Sequence, residues 1–419
     1  MLPIDFTNRM RADLGDDFPA FMAEYEKPPV RGFRVNRLKT DPDRLLELFP
    51  YSLGPVPWCG NGFYYDLRAG RHLCSRAGLI YSQEPSALIS AELLNPSPGE
   101  RVLDLCAAPG GKSTQLASKL MGEGLLVSNE IVASRAAILS ENIERMGISN
   151  AVVTNMSPDK MEAEFPLFFD KILVDAPCSG EGMFRRDPVA VAEWSLEHSR
   201  SCAVRQLNIL ASAVKMLRGG GELVYSTCTF AKEENEEVCQ KLTKLCPEMT
   251  LATMEKILPH THRGEGHFAA KFVKGGSEQK DRRPSTEKID LTLYRKFEED
   301  SLNIHLDGDF ALFGERLYLA PKGFGTLNGI KTVRPGLYLG DNKKGRFEPA
   351  HHLAMALKKE QFKRTVSLDD EAANEYYTGA AASGEGKGYA GVLWNEFPIG
   401  WGKITDGTVK NHIPKYLRG

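Results

Sequence analysis

At 419 residues the chain is too long for one ordinary core, and two or three domains are expected. Apolar residues at 42% suffice to bury such cores, and charged residues at 26% are average. A net charge of −2 excludes a global basic field, so a nucleic-acid partner has to be met by local patches.

The eight cysteines are never closer than seven positions. No C-x-x-C pair or zinc spacing exists, and no metal is expected. The opening "MLPIDFTNRMRADLG" is not a signal peptide, and no run of about 18 apolar residues is present. A soluble, monomeric protein of the reducing cytoplasm, without membrane contact, is the expectation.

Residues 1–75 combine a helical stretch, "FTNRMRADLGDDFPAFMAEYE", with "RGFRVNRLK", which alternates basic and other residues as a surface strand does. From 76 to 274 strand and helix alternate. "ERVLDLCAAPGG" is an apolar run ending in a glycine loop, followed by the helix "KSTQLASKLMG". "GLLVSNE", "NAVVTN", "FDKILVDAP" and "GELVYSTCT" are four more strands, the last preceded by the long helix "RSCAVRQLNILASAVKMLRGGG". This alternation predicts an α/β domain with a parallel sheet covered on both faces. Residues 275–288, "GGSEQKDRRPSTEK", read as a linker. Residues 289–419 form a further unit of short strands with one helix near "PAHHLAMALKKEQF".

Ligands of parallel sheets bind beyond the carboxyl ends of the strands. "CAAPGGKS", Cys106 to Ser113, is one residue short of a P-loop, because Cys106 stands where that pattern needs its first glycine. Glu130 ends the next strand, 19 residues after Gly111. An acid about 20 residues past a glycine turn reads ribose hydroxyls, which favours an adenosine cofactor over a triphosphate. Asp175 ends the fourth strand with Cys178 three residues on, and Cys228 sits at the tip of the fifth. A lone cysteine is more often a small buried hydrophobe. Two at separate strand ends point instead to chemistry: a thiolate adds to an electrophilic carbon and forms a covalent intermediate. The C6 of a pyrimidine is such a carbon. Sulfur there makes C5 nucleophilic toward a methyl sulfonium, and Asp175 suits the stabilisation of the adduct near N3 and N4. The base that removes the C5 proton is not identified.

"DLCAAPGGK", "NE", "VDAPCSGEGMFRRDP", "STCT" followed by "EENE", and "GEGHF" together resemble the Sun/Nop family of RNA (cytosine-5) methyltransferases. The flanking "RGFRVNRLK", "GLIYSQEPSA", "KKGRFEPAHHLAMAL" and "GWGKITDGTVKNHIPKYLRG" are similar to its bacterial RsmF branch, so the resemblance covers nearly the whole chain. It implies a Rossmann-like class I methyltransferase core over 76–274, a small N-terminal α+β RNA-binding domain over 1–75 and a C-terminal PUA-like α+β domain over 289–419. It implies 5-methylcytosine formation in small-subunit rRNA, as naked RNA or as the 30S subunit. By resemblance Cys228 is the nucleophile, Cys178 aids product release, and Asp175 touches the target base and the cofactor side. S-adenosylmethionine would be held by Cys106, Ala107, Ala108, Pro109, Gly110, Gly111 and Lys112, with Glu130 on its ribose. One position departs: the family has an Asp near the adenine where this chain has Ser157.

Nine Lys or Arg stand against three acids between Lys331 and Arg364, including Lys343, Lys344 and Arg346. With the PUA-like resemblance this reads as an RNA contact. Arg31, Arg34, Arg37 and Lys39 form a weaker patch, and Arg185 and Arg186 are placed to hold phosphates beside an extruded base. The same chemistry on tRNA, a P-loop-like NTPase acting on RNA, a non-catalytic RNA-binding relic and a small-molecule methyltransferase are the competing readings.

Overall fold

The computed structural model describes residues 2–66, 72–285 and 287–418. The N-terminal sheet has four strands, β1 (Gly32–Val35), β2 (Ser52–Val56), β3 (Cys59–Tyr65) and β4 (Ile80–Ser82), in the order β2-β3-β1-β4. β4 pairs with β1, so this sheet crosses the boundary expected at residue 75. All four residues of β1 are buried, which corrects its reading as a surface strand. Ahead of the sheet, helices Ile4–Leu14 and Phe18–Ala23 bury Phe6, Met10, Phe18 and Phe21 against Phe184, Trp194 and Phe230 of the next domain. Each such ring removed from water is worth about 1.5–3 kcal/mol, enough to hold the segment in place.

The central domain carries β5 (Arg101–Asp104), β6 (Leu125–Asn129), β7 (Ala151–Thr154), β8 (Phe169–Asp175), β9 (Leu217–Thr227), β10 (Met249–Ile257) and β11 (His267–Lys274). β6 and β7 are buried throughout, as strands covered on both faces must be. The sheet order is β10-β11-β9-β8-β5-β6-β7 with one further strand beyond β7. β5 to β9 run parallel, while β11 is antiparallel to both β9 and β10. The chain winds one way through β6 and β7 and the other way through β8 and β9. β5 is therefore the switch point, and its following loop opens into the crevice where such sheets bind ligands.

Several helices on the faces of this sheet have legible ends. Gly110 takes the left-handed conformation (φ 116°) that lets the loop after β5 turn into the helix Gly111–Leu120. The long helix Leu196–Met216 starts where the Ser195 side chain accepts from the His198 amide at 3.0 Å.

The C-terminal residues are not one unit. β12 (Asp309–Phe313), β13 (Arg316–Ala320), β15 (Leu337–Lys343) and β16 (Arg346–Pro349) form one antiparallel sheet. β17 (Thr365–Leu368), β18 (Ala382–Ser383), β19 (Gly388–Trp394), β20 (Phe397–Thr405) and β21 (Thr408–Asn411) form a second. Between β13 and β15, β14 (Thr332–Arg334) leaves its neighbours and pairs antiparallel with β7, becoming an outer strand of the central sheet. The segment expected as a linker lies on the core: the Gly219 amide donates to Glu278 O at 2.7 Å and the Lys280 amide to Leu167 O at 3.0 Å.

Candidate active site

The loop Cys106–Gly110 follows β5, and its backbone is tied from two sides. Arg135 donates to Ala108 O at 2.8 Å, Asn142 to Pro109 O at 2.9 Å, and the Ala107 amide to Asn129 O at 2.8 Å. Burial pushes the Cys106 thiol up, so it stays neutral. Asp104, at the end of β5, is fully buried. Ser113 donates to its Oδ2 at 2.7 Å, while Oδ1 has no partner. Burial raises its carboxyl to about 7.

Lys112 points across to β8 and donates to Asp175 Oδ2 at 2.7 Å. Ser226 donates to Oδ1 at 2.9 Å, and His267 Nε2 lies 3.8 Å away. Burial alone would raise the Asp175 carboxyl, but the Lys112 ammonium and the hydrogen bonds from Lys112 and Ser226 outweigh it and hold it below the ordinary value. The Lys112 ammonium and the buried Ser113 hydroxyl are thus both committed to carboxylates. In a P-loop the same residues hold phosphate and magnesium, so this geometry does not favour a triphosphate.

Glu130 follows β6 and is almost completely buried. Its Oε1 accepts from the Val132 amide at 2.9 Å, and its Oε2 is 3.6 Å from Arg135. Ser157 begins the helix Pro158–Glu164 without capping it. Its hydroxyl turns to Asp159, whose carboxyl it lowers. Thus Asp104, the Cys106–Lys112 loop, Glu130, Ser157 and Asp175 all lie at the carboxyl edge of the sheet.

The two expected thiols meet. Cys178 and Cys228 are free, partly exposed, and 3.4 Å apart at sulfur. The hydrogen bond to Cys228, then burial, raises the Cys178 thiol well above its usual value. Their loops are joined by Ser179 Oγ to Thr229 Oγ1 at 2.9 Å and by the Gly182 amide donating to Cys228 O at 2.7 Å.

Several carboxylates in these loops did not emerge as site groups from the sequence. Glu181 is fully buried and accepts from Arg9 at 2.6 Å, Trp194 at 2.9 Å and the Phe230 amide at 2.9 Å. Glu265 accepts from the Val30 amide at 2.6 Å and from Arg185 at 2.7 Å. His267 is buried, bonded to Ser90 at 3.0 Å, and kept neutral with its pKa lowered to about 3, chiefly by burial. The "EENE" and "GEGHF" strings held the signal for Glu234, Glu265 and His267, but no partner for them is visible in sequence.

The basic residues divide. Arg34 is wholly buried and donates to Thr114 Oγ1 at 2.6 Å and Gly111 O at 3.3 Å, so it supports the cofactor-side helix from below and does not face RNA. Arg185 is 5% exposed and bonded to Glu265, Glu24 O and Gly264 O. Arg186 donates to Val30 O and lies 3.8 Å from Glu265. These two guanidiniums tie the N-terminal segment to the thiol loops, which corrects their assignment to phosphates. Arg31 stays at the rim of a groove of about 670 Å³ shared with Lys27, His262 and Arg263. Lys343, Lys344 and Arg346 sit together at the exposed β15–β16 turn, where Lys343 is 3.2 Å from Glu315 and Arg346 2.6 Å from Glu348. Among the described residues no group of three or more His, Cys, Asp or Glu could hold a metal ion, and no helix is long and apolar enough to cross a membrane.

A parallel sheet wound about β5, a glycine loop at its switch point and an acid on each neighbouring strand define a Rossmann-like methyltransferase. Family models agree. Residues 91–273 match 16S rRNA methyltransferase RsmB/F, and residues 2–85 the N-terminal domain of 16S rRNA methyltransferase RsmF. Residues 296–357 match the RsmF first C-terminal domain and residues 363–419 the RsmF PUA domain. The chain is 33% identical to the ribosomal RNA small subunit methyltransferase F of Pectobacterium atrosepticum, covering 99% of this chain and 96% of that one. It is 32% identical to the protein of that name from Vibrio vulnificus, over 99% and 97%. A methyltransferase homolog from Pyrococcus horikoshii superposes with a TM-score of 0.58 at 29% identity, over 64% of this chain and 94% of that one. The chain belongs to the RsmF family of 16S rRNA methyltransferases, whose members depend on S-adenosylmethionine.

Proposed function

We propose that this protein methylates C5 of cytosine in small-subunit rRNA through a covalent adduct on Cys228, with Cys178 aiding release. The observation that carries this reading is the pair of sulfurs 3.4 Å apart at the ends of two neighbouring strands, beside an ionised Asp175.

The cofactor side fits S-adenosylmethionine by its donor set. Asp104 has a buried, unpartnered oxygen, Gly110 and Gly111 let a ligand reach the backbone, and Glu130 supplies a carboxylate at the ribose-reading position. Cys106 to Lys112 would line it, with Ser157 at the adenine end. When bound, S-adenosylmethionine supplies a sulfonium methyl group that the activated C5 takes, leaving the neutral thioether.

The protein's own groups do the rest. The Cys228 sulfur bonds to C6, and the thiol proton passes to N3. Asp175, a carboxylate in the resting site, accepts from the N4 amino group and the protonated N3. Cys178 keeps its proton and donates to the Cys228 sulfur. After C5 is methylated a base takes the C5 proton. Its electron pair restores the C5–C6 double bond, the S–C6 bond breaks, and the sulfur recovers the N3 proton.

Incubation with rRNA and methyl-labelled S-adenosylmethionine should place label on 5-methylcytosine. ATP hydrolysis without methyl transfer would sink the reading. Cys228→Ala should abolish labelling and keep cofactor binding. Cys178→Ala should trap a protein–RNA adduct, seen as a slow band on a denaturing gel.

A further inference from the structure

We infer that Glu234 and Asn235, adjacent residues just ahead of the helix Glu236–Leu245, are the positioning residues of the two thiols, Glu234 for Cys178 and Asn235 for Cys228. This rests on the thiol roles proposed above.

Both side chains are completely buried. Glu234 Oε2 accepts from the Ser179 amide at 3.0 Å, the residue after Cys178. Gln206 donates to the same oxygen at 2.9 Å and to Pro177 O at 3.0 Å, the residue before Cys178. Ser199 fills the other oxygen at 2.8 Å. Glu234 therefore grips both flanks of Cys178, one directly and one through Gln206. Asn235 does the same for the other thiol. Its Oδ1 accepts from Thr227 Oγ1 at 2.6 Å, the residue before Cys228, and its Nδ2 donates to Thr229 O at 2.9 Å, the residue after. Tyr225 of β9 donates to Glu234 O, fixing the backbone between them.

One peptide bond joins the two grips. Beside the direct Ser179–Thr229 and Gly182–Cys228 bonds, a dipeptide that touches neither sulfur thus holds both loops in one frame, and they cannot drift apart independently. Reacting groups must be held to within about 0.5 Å, and a 1 Å misplacement costs about 10²-fold in rate. A defect at Asn235 falls on adduct formation, because it loosens the attacking sulfur. A defect at Glu234 falls on adduct breakdown, because it loosens the releasing one. A role in folding alone predicts no such division.

The test is single-turnover methylation of rRNA by the full chain, with the covalent band on a denaturing gel as readout and cofactor affinity as control. Glu234→Ala is expected to accumulate the band, as Cys178→Ala does. Asn235→Ala is expected to slow adduct formation about 10²-fold and so to accumulate no band, with cofactor affinity unchanged in both. A band in Cys178→Ala but none in Glu234→Ala, or a band in Asn235→Ala, overturns the pairing and leaves the thiol roles standing. No band in Cys178→Ala overturns those roles and the pairing with them. Should the buried carboxylate variant not fold, Gln206→Ala removes the link to Pro177 and is expected to give the same band; its absence counts against Glu234 equally.

Discussion

The strand-end cleft has two halves that are held in different ways. The half after β5, β6 and β7 is made of small loop residues and keeps polar capacity in reserve: Asp104 Oδ1 and Gln83 Oε1 are buried without partners. Gln83 packs where a side chain on Gly111 would stand, 3.2 Å from that position. In the half after β8 and β9, Glu181 and Glu234 each take three donors. Buried polar groups left unmade cost about 1–3 kcal/mol each, so the first half stores a preference for a ligand and the second spends its bonds on rigidity. Lys112–Asp175 is the contact between them.

The largest expected effect lies at that contact. Asp175→Ala should lower methylation by about 10²–10⁴-fold, measured in single turnover, because it removes the carboxylate proposed to meet both base and cofactor side. A loss confined to cofactor affinity would assign Asp175 to the first half alone. Next comes Arg34, which supports the first half from behind. Arg34→Met should destabilise the fold by about 2 kcal/mol in urea unfolding, through the lost guanidinium bonds to Thr114 Oγ1 and Gly111 O. RNA affinity should be unchanged, and a selective loss of RNA binding would return Arg34 to the surface role its sequence suggested. The smallest is Ser157→Asp. A carboxylate there should tighten S-adenosylmethionine by about tenfold, or ~1.4 kcal/mol, by calorimetry. No change would mean that this end of the first half is closed to the adenine.

Much of this cleft was legible in the sequence. The parallel strands announced themselves as apolar runs ending in Gly, Glu, Asp or Cys, because strands covered on both faces need little polarity. β10 was missed for the opposite reason: it is an outer strand whose residues are mostly exposed or half-exposed, so "MTLATMEKI" carries no apolar run. β14 is only three residues long and is specified by its partner. Arg34 and Arg185 misled because a guanidinium that bonds protein and one that bonds phosphate look alike until the carboxylates and carbonyls around them are placed. Glu234 and Asn235 were in a quoted motif, yet their partners lie up to 55 residues away in the chain and only the fold brings them together.

β14 also sets a timetable. The central sheet is closed at β7 by residues that follow it by about 180 positions in the chain, with the Asn155 amide donating to Lys331 O at 2.9 Å where that strand begins. Contacts so distant in sequence form late. During synthesis the methyltransferase core therefore keeps a bare edge until Thr332–Arg334 has left the ribosome, and a chain cut between the two strands would offer that edge to any other copy. Arg334, which donates to Glu144 at 2.6 Å and to Ser140 at 2.8 Å, then fastens the edge with buried bonds.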